Sequence, residues 1–73
     1  MSTNPQGGQP KYPDVHVQLT GEDGNAYSII GRVAKALRRS VSPEAASEFS
    51  AAAMSCGSYD ELLALCMETV SVH

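Results

Sequence analysis

At 73 residues the chain has room for one small domain, whose core supplies only about 3–5 kcal/mol without a disulfide, a metal or a partner subunit. Its net charge of −3 argues against nucleic-acid binding through a general excess of cations, although a local basic patch can override that balance. With one Phe, no Trp and no run near the roughly 18 apolar residues of a membrane span, the core is mostly Val, Leu, Ile and Ala, and no membrane partner is expected.

The first residues lack both the basic start and the apolar run of a secretory signal, so the cytoplasm is the expected compartment. Residues 1–13 read as a disordered tail, because Asn4-Pro5, Gly7-Gly8, Pro10 and Tyr12-Pro13 supply turn residues and no apolar period. Residues 14–73 form the single domain. Val15, Val17 and Leu19 alternate with His16, Gln18 and Thr20, the period of two that marks a half-buried strand.

Gly21-Glu22-Asp23-Gly24 breaks that strand, and Asn25 is an N-cap residue for a helix running from about Ala26 to Arg39. At about 100° per residue, Ile30, Val33, Ala34 and Leu37 share one arc, flanked by Tyr27 and Ile29. Arg32, Lys35 and Arg39 lie opposite, with Arg38 at the border. Gly31 is unfavourable mid-helix by about 1 kcal/mol, and the expected reason for it is close approach of another backbone.

Ser42 before Pro43 signals the next helix. Ala45, Phe49, Ala52 and Cys56 mark its narrow inner face, and Gly57 is placed to end it in a left-handed cap. Ser58-Tyr59-Asp60-Glu61 is a capping box ahead of the third helix, whose inner stripe is Leu62, Leu63, Cys66 and Val70. Val70-Ser71-Val72-His73 alternates again and reads as a short strand beside the first. The expected fold is α+β: strand, three helices and a short C-terminal strand, with a two-stranded sheet packed on the helices.

The candidate sites are few. Glu22, Asp23 and Asn25 lack the spread of oxygen ligands that a calcium loop needs, and the same carboxylates repel a phosphate at the helix start. No phosphate or dinucleotide glycine motif is present, so no cofactor is expected. Cys56 and Cys66 fall on apolar faces and read as buried thiols. If the two chain ends pair, His16 and His73 project from the outer sheet face. Two imidazoles can bind a metal, but no third ligand is evident and a solvated sheet face is the expectation. No catalytic set is recognisable, so an enzyme is not expected.

Arg32, Lys35, Arg38 and Arg39 remain as the candidate interaction face. A solvated helix face also needs charges, and the second helix, with Glu44, Glu48, alanines and serines, suits a DNA recognition helix poorly. The leading expectation is a non-enzymatic protein-interaction module that binds an acidic partner or a second copy of itself. The alternative is a nucleic-acid-associated regulator using that basic face.

Residues 19–39 resemble a pattern, approximately G-x-D-G-N-A-F-x-I-L-G-x-V-x-x-A-L-R, shared by small bacterial and phage- or plasmid-borne proteins with no assigned activity. Glu48-Phe49 and Ser58-Tyr59-Asp60-Glu61-Leu62-Leu63 extend the likeness, which spans roughly residues 15–72. The chain departs from it with Ser40, where a glycine often ends the first helix, and with Cys56-Gly57-Ser58 before the tyrosine. The resemblance implies a compact accessory module in a bacterial cytoplasm or on a mobile element, and it implies no catalytic residue or cofactor.

Overall fold

A computed structural model describes residues 10–19 and 25–73. The tail expected at residues 1–9 lies outside them, as do Thr20 and the Gly21-Glu22-Asp23-Gly24 turn. In chain order the elements are β1 (Tyr12–Val17), α1 (Ala26–Ser40), α2 (Pro43–Met54), α3 (Tyr59–Thr69) and β2 (Val70–Val72). This is the small α+β domain the sequence predicts, with β1 and β2 forming the two-stranded sheet. The strands run parallel, which requires a long crossover, and the three helices provide it.

Strand β1 begins at Tyr12, inside the stretch expected to be tail. Pro13 does not prevent pairing, because the ladder is irregular where it sits. Tyr12 stands opposite Val70, yet His16 is already opposite Ser71 and Val17 opposite Val72. Pro13, which has no N–H to donate, lies in that irregular stretch, and its carbonyl accepts a 2.8 Å hydrogen bond from Ser71 Oγ. The Lys11 N–H also donates to the Glu68 carbonyl at 2.8 Å, so the chain is anchored from Lys11 onward. The alternation holds as read: Val15 and Val17 are buried, while Asp14 and His16 are exposed.

All three helices start at the residues expected to cap them. Asn25 Oδ1 accepts from the Tyr27 and Ser28 amides at 2.8 and 3.3 Å. Ser42 Oγ accepts from the Ala45 amide at 3.1 Å, with Pro43 in the first turn, where a missing N–H loses nothing. Ser58 Oγ accepts from the Glu61 amide at 3.1 Å. Glu61 returns a bond to the amide of Gly57, one residue earlier than a standard capping box, at 2.8 Å. Each such cap satisfies donors that a helix start otherwise leaves open, worth about 1 kcal/mol.

The core joins the sheet to all three helices. Val33, Leu37, Cys66 and Val70 are its most enclosed members, each at most 1% exposed. On α1 the buried stripe is Ile29, Val33 and Leu37, with Ile30 and Ala34 half-buried, so the inner face is rotated toward Ile29 from the arc expected. On α2 the buried residues are Ala45, Ala46, Phe49 and Ala53. Ala52 is exposed and Cys56 falls beyond the end of the helix, which corrects the face read from the sequence. Fully burying a Val, Leu or Phe contributes about 1.5–3 kcal/mol, so α2 leans on Phe49 more than on its alanines.

Two glycines play roles other than those expected. A Cβ placed on Gly31 would meet no atom within 4 Å, so no backbone of this chain approaches it closely. Gly57 does not adopt a left-handed conformation. Helix α2 instead ends at Met54, with Ser55 in a right-handed conformation (φ −91°, ψ −7°), and its amide bonds back to the Ala52 and Ala53 carbonyls. What Gly57 offers is its amide, which binds Glu61 and ties the turn to the first turn of α3.

Candidate functional site

The four cations singled out in the sequence do not form one uniform face. Lys35, Arg38 and Arg39 are exposed, but Arg32 is half-buried and its Nε is shut off from solvent. Arg32 lies about 100° around the helix from Val33, at the edge of the buried stripe and not opposite it. Arg38 and Arg39 occupy the last turn of α1, where they complement the negative end of the helix dipole. That placement gives them a structural reason to be there, alongside any binding role.

An apolar groove is the feature that the sequence reading did not foresee. Helices α1 and α2 are joined by a tight turn, in which the Val41 and Ser42 amides both donate to the Leu37 carbonyl at 2.7 and 3.0 Å. The chain therefore doubles back, and the end of α2 returns beside the beginning of α1. There Tyr27 and Ile30 of α1, Met54 of α2, and Tyr59 and Leu62 of α3 line an open groove, with the Cys56-Gly57-Ser58 turn along its side. Tyr27 is 74% exposed, Met54 66% and Tyr59 44%. They are three of the five large apolar side chains exposed among the described residues, the others being Val41 and Met67.

The reason for the groove lies in α2. Its inner face is mostly alanine, which holds the neighbouring helices close along the middle of the hairpin but does not cover the side chains beyond Ala53. The helical wheel placed Tyr27 only at the flank of the stripe, and Met54 carried no signal because it sits in the last turn, where periodicity stops constraining orientation. Charge is unevenly distributed around the groove. Asp60 and Glu61, in the first turn of α3, stand at its end of the molecule, while Arg38 and Arg39 stand at the far end of α1.

The thiols are both free and lie in different settings. Cys66 is fully enclosed and Cys56 is half-buried. Burial, and secondarily the neighbouring Cys56, push the Cys66 thiol up from its ordinary 9.0 to about 11, against a small opposing backbone hydrogen bond. At neutral pH Cys66 is thus protonated and inert, a small hydrophobe in the core. Cys56 Sγ lies 3.6 Å from the Ala52 carbonyl oxygen, a contact that holds it against the end of α2.

The two histidines meet. His16 Nδ1 and His73 Nε2 are 2.8 Å apart, and the rings meet edge to edge, with centroids 5.0 Å apart and planes inclined by 15°. Both rings are exposed, as expected for residues on the outer face of the strand pair. Ser71, opposite His16 in the ladder, directs its hydroxyl to the Pro13 carbonyl. Among the described residues, no group of three or more His, Cys, Asp or Glu side chains is gathered where a metal ion could be held.

No helix among the described residues is long and apolar enough to cross a membrane. No protein-family model, curated protein or solved structure matches the chain.

Proposed function

We propose that this chain is a non-enzymatic protein-interaction module that works as a pair of copies joined across the groove of Tyr27, Ile30, Met54 and Tyr59. The observation that carries this reading is the clustering of Tyr27, Met54 and Tyr59 in one concavity, since scattered exposed apolar residues need no explanation but a gathered set does. Aromatic residues and methionine are also the types enriched in the centres of protein interfaces.

The charge layout favours a second copy as the occupant. The chain carries both signs of charge in separate places, Arg38 and Arg39 at the end of α1 and Asp60 and Glu61 at the start of α3, so two copies have opposite charges to present to one another. The limited core of a domain this size also gains from burying more apolar surface. The non-enzymatic character is supported by the protonated Cys66 and by the Ser71 hydroxyl, which bonds to backbone instead of to an imidazole. An accessory role in a bacterium or mobile element belongs to the same proposal and rests on the sequence resemblance of residues 19–39 alone.

Sedimentation equilibrium across the micromolar range tests this reading. The expected result is a monomer–dimer equilibrium that Met54→Lys shifts to monomer without loss of helical circular dichroism. A strictly monomeric chain at high micromolar concentration would overturn it, as would a dimer that Met54→Lys and Tyr59→Lys leave intact.

A further inference from the structure

The geometry points to a second site, independent of the groove: His16 and His73 form a two-imidazole chelate for a transition-metal ion of the copper, nickel or zinc class. These ions favour imidazole nitrogen, whereas magnesium and calcium favour oxygen. Two nitrogens each about 2.0 Å from one ion and at a right angle to each other lie about 2.8 Å apart, and at a tetrahedral angle about 3.3 Å apart. The observed 2.8 Å between His16 Nδ1 and His73 Nε2 already brings the nitrogens to the first separation, and because they face one another along the hydrogen bond each ring must turn for both lone pairs to meet one ion.

The main chain holds the pair in place. His16 belongs to β1, between the buried Val15 and Val17. Beside it, the His73 N–H donates to the Val17 carbonyl at 3.0 Å, and the His73 carbonyl accepts from the Leu19 N–H at 2.7 Å. The two imidazoles are therefore brought together by the folded strand pair, from positions at opposite ends of the domain. Their exposure lets the rings turn about their own side-chain bonds, so both lone pairs can converge on an ion without moving a buried atom.

Binding has a simple proton requirement. In the hydrogen bond one of the two facing nitrogens carries a hydrogen, and on chelation both must present a lone pair. The donor ring then takes its other tautomer, holding its proton on the outward nitrogen, and the neutral pair binds the cation with no net proton lost. Water fills the remaining coordination positions, since no third protein ligand stands with the pair among the described residues. An ion held in this way ties β1 to β2, so it binds the folded chain and not the unfolded one and raises stability by mass action.

The test uses the full chain and zinc chloride, followed through the imidazole nitrogen resonances, which are simple to assign because the chain has only two histidines. The expected result is that His16 Nδ1 and His73 Nε2 shift together and saturate at no more than one ion per chain, while magnesium chloride moves neither. Zinc should also raise the melting temperature of the natural chain but not of His16→Ala or His73→Gln. Losing even an outer-shell partner of a metal ligand weakens metal binding about 10–100-fold, so each variant should bind at least about tenfold more weakly. Rings that respond independently, or a single variant that keeps the natural affinity, would overturn the proposal. The titration of the natural chain decides the matter alone if a variant fails to fold.

Discussion

Replacing Gly31 with alanine separates the requirements of this fold from those of an interface. Gly31 lies on the exposed side of the 15-residue helix α1, and an added Cβ would meet no atom within 4 Å. The methyl group therefore brings neither a clash nor a new contact, and the effect reduces to the freedom that glycine gives the unfolded chain. That difference is about 0.8–1.0 kcal/mol in a helix interior, in favour of alanine. For a domain of this size it corresponds to a rise in melting temperature of roughly 4–8 °C. In urea, with a slope near 1 kcal/mol/M for so small a protein, the midpoint should rise by roughly 0.8–1 M at unchanged slope. Thermal and urea unfolding followed by circular dichroism at low micromolar concentration measure both. Equal or lower stability of Gly31→Ala would refute the reasoning, because some backbone would then have to lie against Gly31.

Three other outcomes are expected. With its proton held up to about 11 in the folded state and released from 9.0 in the unfolded state, the Cys66 thiol contributes stability that is fully present below pH 9.0 and falls as pH rises to about 11. The loss is on the order of 2 kcal/mol and should be absent from the unfolding curves of Cys66→Ala; in the natural chain at neutral pH a thiol reagent should modify Cys56 well before Cys66. Ser58→Ala removes the acceptor for the Glu61 amide and should lower stability by about 1 kcal/mol in urea unfolding, while Ser55→Ala, outside any N-cap, should change it far less. Labelled duplex DNA at low salt should show no shift with the natural chain; a salt-dependent shift abolished by Arg38→Glu with Arg39→Glu would favour the nucleic-acid reading instead.

Local signals made most of the fold legible. Asn25, Ser42 and Ser58 each accept the bonds their identity foretold, because a cap depends on three or four consecutive residues and little else. The alternation of Val15 and Val17 holds for the same local reason, and the tail expected at Tyr12-Pro13 shows where such signals stop. Whether Tyr12 pairs depends on Val70, far along the chain, and on an irregular ladder that excuses Pro13. The groove was hidden for the same reason: Tyr27, Met54 and Tyr59 come from three helices, and only the tight turn after Ser40 and the narrow alanine face of α2 bring them together.

The basic residues show how burial changes the meaning of a charge pattern. By spacing alone Arg32 belongs with Lys35, Arg38 and Arg39, but the inner face of α1 is centred nearer Val33 than the apolar arc suggested, and Arg32 falls at its margin. What is left is a trio weighted toward the helix end, where Arg38 and Arg39 already complement the dipole. A patch that contacts a partner through charge alone should be concentrated and desolvated on binding, and this one is neither large nor set in a concavity. In the proposed pairing the trio lies away from the groove, and its part is to attract the acidic surface around Asp60 and Glu61 of a second copy at long range. On the proposed pairing the cations steer the encounter and the groove supplies the affinity, so charge reversal at Arg38 should slow association more than it speeds dissociation, and Met54→Lys should do the opposite.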